Sequence, residues 1–270
     1  MEKGLIILLY LMLACCSGNY AQIAGSTEKL SDDYGKLHLI RKNGYCGLAD
    51  SSNRILLPMH YDSISAFGNP GPDRALIIKG NLQGMINNAG EIFVPPSYNH
   101  IGPFGKCGLF WAKVTNGNHY GFIDISGKEI VPAVFDSLGN FKDYGVPWLL
   151  ARKDNRIGFV DTQGRMAISP FYEHIYHFGT YGNAWALVQK DGKYGFINSS
   201  GKEVVPLQYD SIYPFGKLLF HRALVSKDGK YGFINYAGKE VVSCTLSQKG
   251  YKKLVRQQHR IDRQATGGKR

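Results

Sequence analysis

The sequence predicts an all-β protein made of six tandem copies of one unit, and three observations carry that prediction. Gly47, Gly84, Gly121, Gly158, Gly195 and Gly232 follow one another at intervals of 37 residues without an insertion. Behind each stands a large apolar residue and, two places later, Asp or Asn ahead of a second turn residue. That arrangement between apolar runs signals a hairpin, because Asx and Gly tolerate positive φ and the Asx side chain bonds its own backbone. Aromatic residues make up 13% of the chain and glycines number 33, a composition that favours short strands and many turns over long helices. With 44% hydrophobic residues, the 270-residue chain can also fill a sizeable core, which excludes a disordered protein.

The N-terminal segment stands apart from the repeats. Lys3 precedes an apolar run of ten residues, Leu5 to Ala14. That run is too short to span a bilayer and suits the core of a secretory signal. Residues 1–21 therefore read as a signal peptide, and 22–35 as a linker. Two processing routes stand side by side: cleavage after Ala21, or lipidation at Cys15 or Cys16, since Leu13-Ala14-Cys15-Cys16 resembles a bacterial lipoprotein box. Both place the chain outside the cytoplasm, either secreted or periplasmic, or anchored at the cell envelope by lipid.

The six copies span residues 36–248, each predicted as a three-stranded antiparallel meander. In the fifth copy, Ala186 to Lys190 forms one strand, Asp191 to Lys193 turns, and Tyr194 to Asn198 returns. A second turn at Ser199 to Gly201 leads to a third strand, Lys202 to Val205. Pro206 is expected to end it, because proline cannot donate to a ladder. Tyr209 to Ile212 adds a short extended piece. Phe122, Phe159, Phe196 and Phe233, with Leu48 and Met85 in the same column, are expected to line the interior. Two further aromatic columns run through Tyr61, Tyr98, Phe135, Tyr172 and Tyr209, and through Phe67, Phe104, Phe141, Phe178 and Phe215. One such unit cannot bury enough surface to fold alone, so the copies must pack on one another. An open solenoid-like stack is favoured, since the first copy starts with its own initial strand and the last ends after its third. A closed six-bladed β-propeller, which often splits a blade between the termini, is the alternative.

The wording of the unit, Tyr194-Gly-Phe-Ile-Asn-Ser-Ser-Gly-Lys-Glu-Val-Val-Pro206 followed by Tyr209-Asp-Ser-Ile212 and Phe215, resembles the WG (KWG) repeat family of bacterial proteins. The likeness covers about residues 36–250. Tyrosine replaces the family's usual tryptophan at Tyr120, Tyr194 and Tyr231, and Cys46, Gln83 and Ile157 stand there in other copies. The resemblance implies a β-rich tandem array and carries over no catalytic or ligand-binding residue.

Reaction chemistry is not indicated. Beyond the leader the cysteines are Cys46, Cys107 and Cys244, an odd count without close spacing that reads as buried thiols. His174 and His177 lie three apart in a strand-turn segment and read as structural. No nucleophile elbow or phosphate loop occurs. Glu129, Glu203 and Glu240 recur, as do Asp62, Asp136 and Asp210. An active site is needed once, so side chains renewed in every unit read as turn residues or a solvated strand face. Neither an enzyme nor a cofactor or metal is expected. Trp111, Trp148 and Trp185 could stack on sugars, but their spacing of 37 favours packing. The triplets Asp62-Ser63-Ile64, Asp136-Ser137-Leu138 and Asp210-Ser211-Ile212 are similar to a bacterial O-glycan acceptor sequence, with repeat consensus the simpler reading.

Residues 249–270 form a basic tail, where eight basic residues face one acidic residue and leave only +4 of the net +11 to the remainder. A solvated, partly disordered tail is favoured over a short amphipathic helix presenting Tyr251, Leu254, Val255 and Ile261 on one face. Because the array has no basic stripe, nucleic acid is not an expected partner. The sequence thus reads as an exported, non-catalytic binding module for an unknown protein or polysaccharide, with membrane-surface contact available through a lipid anchor or the tail. A structural spacer of the cell envelope is the alternative.

Overall fold

The computed structural model describes residues 28–30 and 36–267, with side chains described from 36 to 264. The proposed signal segment, Cys15 and Cys16 lie outside the described residues, as do Lys269 and Arg270.

Six separate four-stranded antiparallel sheets account for the repeats. The first holds β1 (Glu28–Leu30), β2 (Leu37–Lys42), β3 (Tyr45–Asp50) and β4 (Ile55–Tyr61). The second holds β5 (Ser63–Ile64), β6 (Arg74–Lys79), β7 (Leu82–Asn87) and β8 (Ile92–Tyr98). In the third are β9 (His100–Ile101), β10 (Ala112–Asn116), β11 (His119–Ile123) and β12 (Glu129–Phe135). The fourth comprises β13 (Ser137–Phe141), β14 (Leu149–Lys153), β15 (Arg156–Val160) and β16 (Met166–Tyr172). The fifth comprises β17 (His174–Ile175), β18 (Ala186–Lys190), β19 (Lys193–Ile197) and β20 (Glu203–Tyr209). The sixth comprises β21 (Ser211–Ile212), β22 (Arg222–Lys227), β23 (Lys230–Asn235) and β24 (Glu240–Leu246), and a helix, α1 (Gln248–Gly267), follows. No sheet closes on itself. By compactness the chain divides into two units. One holds the described residues up to 104 with 112–117 and 123–128; the other holds 105–111, 118–122 and 129 onward.

The expected meander has three strands and the observed sheet has four. The short extended piece at the end of each of the first five copies crosses over and becomes the first strand of the next sheet: β21 pairs with β22, joining Ser211 to Ser226 and Ile212 to Val225. A sheet is therefore built from two successive copies. The first sheet has no preceding copy to draw on. Its short strand is β1, from the segment read as a linker, which pairs antiparallel with β2.

Turn chemistry sets the register. In the β18–β19 hairpin, Asp191 (φ 49°) and Gly192 (φ 72°) both occupy the left-handed region that a two-residue type I′ turn demands. Lys190 is thereby paired with Lys193, and Leu187 comes opposite Phe196. The second turn of each unit is clamped by its Asx. Asn198 Oδ1 accepts the N–H groups of Ser200 and Lys202 at 3.0 Å each. Asp50, Asn87, Asp124, Asp161 and Asn235 accept from the two corresponding N–H groups in their own turns.

Pro206 does not end its strand. β20 runs through it to Tyr209, because Pro206 sits in a β-bulge where the ladder is already interrupted. Between Tyr194↔Tyr209 and Phe196↔Val205, two steps on β19 face four on β20. The bulged strand crosses directly over Gly195, where an added Cβ would lie 2.5 Å from the Val205 carbonyl oxygen. The other five glycines of the column would meet the equivalent carbonyl at 2.2 to 2.6 Å. Only glycine leaves room for this crossing. The next residue points the other way, into the core: Leu48, Met85, Phe122, Phe159, Phe196 and Phe233 are each 0% exposed.

Successive copies are also tied by their backbones. The Phe141 N–H donates to the Cys107 carbonyl (3.2 Å), Phe178 to Tyr144 (3.1 Å) and Phe215 to Tyr181 (2.9 Å). In the first unit Phe104 donates to Pro70 in the same way. The next carbonyl in this column belongs to Leu218, but after β24 the chain leaves the repeat for α1 and offers no phenylalanine N–H at that point. Instead His259 Nε2 of α1 lies 2.8 Å from it and must be the donor.

The basic tail is thus an ordered helix rather than a solvated strand of chain. Ser247 starts it, its Oγ accepting the Gly250 N–H at 3.1 Å. Tyr251, Leu254 and Val255 pack on Leu219, Leu224 and Phe233 of the last sheet, with the rings of Tyr251 and Tyr231 4.6 Å apart. Ile261 does not join this face and is left 57% exposed. An apolar stripe of three residues is sparse for a free helix, but it needs only to cover one sheet end. None of the helices in the described residues is long and apolar enough to cross a membrane.

Two outcomes are expected. Gly195→Ala should lower stability in urea melts by about 3 kcal/mol through overpacking, against about 1 kcal/mol for Gly192→Ala, whose added methyl meets nothing and suffers only from its positive φ. Deleting α1 after Ser247 should uncover Phe233 and Leu224, lower the melting temperature and produce concentration-dependent association on size-exclusion chromatography.

Candidate interaction surface

The recurring polar residues are the natural place to look for a site, and the fold uses them. Each Asp or Asn between the third strand and the next short strand reaches forward to the following hairpin turn. Asp62 Oδ2 accepts the Gly80 N–H at 2.6 Å, Asp136 Oδ2 that of Asp154 at 2.8 Å, and Asp210 Oδ2 that of Asp228 at 2.7 Å. Asn99 accepts from Gly117 in the same way at 2.6 Å. In the second unit a basic residue reinforces the seam. Lys193 Nζ lies 2.6 Å from Asp210 and 3.9 Å from Asp228, and Arg156 bridges Glu173 (2.8 Å) and Asp191 (3.5 Å). The hydrogen bond between them raises the Lys193 pKa and lowers that of Asp210.

The glutamates are not simply a solvated face either. Glu240 Oε1 accepts a hydrogen bond from the Tyr209 hydroxyl at 2.9 Å. Burial, then that bond, holds the Tyr209 phenol far above its ordinary pKa. Tyr172 is raised by burial and, secondarily, by the charge of Glu203. Beside Glu240, burial pushes the Cys244 thiol up to about 11, so it is no nucleophile at neutral pH. Cys46 and Cys107 are buried and free, and Cys244 is half-buried.

The tryptophans pack rather than project. Trp111 lies 5.4 Å from Phe141 and 5.8 Å from Phe122, Trp148 is 5.8 Å from Phe159, and Trp185 is 5.8 Å from Phe196. His177 stacks on Tyr144 with centroids 4.5 Å apart and planes 10° from parallel. Among the acceptor-like triplets, Ser211 sits in β21 with its Oγ 2.7 Å from Ser226 Oγ, so this hydroxyl already has a partner.

What the repeat does not use gathers on the loops joining each short strand to the second strand of its sheet. There Phe110 and Phe220 are 78% and 80% exposed. Sequence reasoning missed both because they belong to no column. The corresponding loop of the first unit borders an open cleft of about 510 Å³ lined by Asp73, Arg74, Asn88, Phe93, Ile125 and Ser126. Arg74 occupies the column that holds Trp111, Trp148 and Trp185 in the three middle copies and Leu37 and Arg222 in the outermost ones, a departure that could have flagged it. Its guanidinium lies 5.4 and 5.3 Å from the Phe93 and Phe104 ring centroids, and Nη2 donates to the Ile125 carbonyl at 2.7 Å. A cation held in this way, beside an aromatic ring and an amide, can meet a carboxylate or a hydroxyl-rich ligand.

A family model described as "WG containing repeat" matches residues 47–82, 84–118, 120–156, 157–194 and 194–231, well over half the chain. No curated protein matches the sequence. Among solved structures the chain is similar to a eukaryotic initiation factor at 8% identity, covering 84% of this chain and 67% of that one, with a TM-score of 0.28. It is similar to AztD from Citrobacter koseri at 12% identity, covering 83% and 72% of the two chains, TM-score 0.28. For PorZ of Porphyromonas gingivalis the identity is 11% and the TM-score 0.25, over 84% of this chain but 34% of that one. None of these structural likenesses bears on function.

The Asx clamps make the array sensitive to acid. Hydrogen bonding from the Arg54 N–H holds Asp50 below the ordinary carboxylate value of 3.8. At Asp124 and Asp161 burial pulls upward, but the turn hydrogen bonds outweigh it and these carboxyls are lowered too. Their contribution is complete above pH 3.8 and is lost as pH falls through the lower folded values. Asparagine performs the same role in three copies. A triple variant Asp50→Asn, Asp124→Asn, Asp161→Asn should therefore keep near-normal stability at pH 7 and lose less than the parent in urea melts below pH 3.8.

Proposed function

Because the chain belongs to the WG-repeat family, we propose that it works as an exported, non-catalytic interaction module whose partner, a protein or a polysaccharide, meets the loop end of the sheets. Exposed Phe110 and Phe220 carry this reading. Apolar rings of that size left to solvent at loop tips contribute nothing to the core and are suited to burial against a partner. The recurring carboxylates that would otherwise be candidates for acid-base work hold turns and seams in place. Export is supported by the apolar run after Lys3. The ladder of backbone hydrogen bonds between copies favours a second reading, an envelope spacer, since it stiffens the array.

A pull-down from the native cell envelope, followed by protein and glycan arrays, separates the two. The module reading expects reproducible binding that falls at least about tenfold in a Phe110→Ala, Phe220→Ala variant. Binding untouched by those substitutions would remove the loop face from consideration, and the absence of any saturable partner would favour the spacer. Cell fractionation tests export directly.

A further inference from the structure

The helix that closes the last sheet presents a second surface. At about 100° per residue, Lys249, Lys252, Lys253, Arg256 and Arg260 fall within about 100° of arc, on the side opposite Tyr251, Leu254 and Val255. The apolar stripe is packed on the sheet, so the basic stripe points away from the molecule. All five side chains are exposed, and none has an ion-pair partner among the described residues. Asp262, the acidic residue of this segment, lies towards the packed side of the helix, within hydrogen-bond reach of Gln258. The five cations make a band about 17 Å long at 1.5 Å per residue and about 100° wide around the helix.

Covering Phe233 and Leu224 requires the apolar stripe alone. The opposite row of charge costs self-repulsion and contributes nothing to the packing. We infer that this row is a docking surface for an anionic lipid membrane. A convex helix face meets a plane along its length, bringing all five cations to the headgroups together. Among the described residues, no aromatic ring stands among the five cations to stack on a sugar. With its apolar face occupied, the helix cannot insert. The contact is electrostatic, strengthened by each cation and released by salt.

Co-sedimentation of the full chain with phosphatidylcholine vesicles, with and without phosphatidylglycerol, tests this. The chain should partition onto the anionic vesicles in excess of the neutral ones, and raised salt should abolish the excess. Lys252→Gln, Lys253→Gln and Arg256→Gln together should lower anionic-vesicle binding about 100-fold, and each alone about fivefold, without changing the melting temperature. Lys106→Gln, Lys128→Gln and Lys217→Gln, which remove equal charge elsewhere, should leave binding nearly intact. Equal binding to both vesicle types, or no loss in the helix variants, would overturn the inference. So would capture by dextran sulfate without vesicle binding, which would assign the row to an acidic polysaccharide.

Discussion

Each third strand must cross over a glycine, and most of the architecture follows from that crossing. The bulge it needs lets the strand pass through Pro206 and turn toward the next sheet, where Tyr209 ends it and Asp210 takes over. A Cβ at Gly195 would sit inside the van der Waals radius of the Val205 carbonyl and push the strand off its path. The neighbouring Phe196 points to the opposite face and fills the core from the same two-residue step. Backbone clearance on one side and core packing on the other are thus inseparable, which is why the two columns travel together through all six copies.

From that crossing the copies are joined three times over. The aspartate of the seam bonds the next hairpin turn, the phenylalanine of the next copy bonds back to the preceding loop, and in places a lysine or arginine spans the gap. No single one of these contacts is large, since net hydrogen bonds contribute about 1 kcal/mol each. Their repetition is what matters. It also explains why side chains that look like reaction chemistry in the sequence are poor candidates for it: Asp210 and Glu240 are already holding partners. Residues outside the columns, such as Phe110 and Phe220, are the ones free to differ from copy to copy.

The period, the turns and the buried Phe column could all be read from the chain, because each depends on residues close in sequence. The fourth strand could not. Ser211 and Ile212 are extended wherever they pair, and nothing local says that their partner is the following sheet rather than their own. Pro206 misled for a related reason: the rule that proline ends a ladder holds only where the ladder is continuous. In the tail, the stripe of Tyr251, Leu254 and Val255 was visible, but the sheet end that makes it worth folding was not. The exposed loop rings were hidden by their failure to repeat.

That a sheet draws its strands from two neighbouring copies has a consequence for how such chains change length. Excising or duplicating one whole period between equivalent positions rejoins like with like, and every interior seam stays intact. The termini alone are not interchangeable. At the start a stretch of foreign sequence must lend the missing strand, as Glu28–Leu30 does. At the finish something other than a further copy must answer the last open carbonyl, the place His259 has taken. Growth and loss are therefore free in the middle and constrained at both ends.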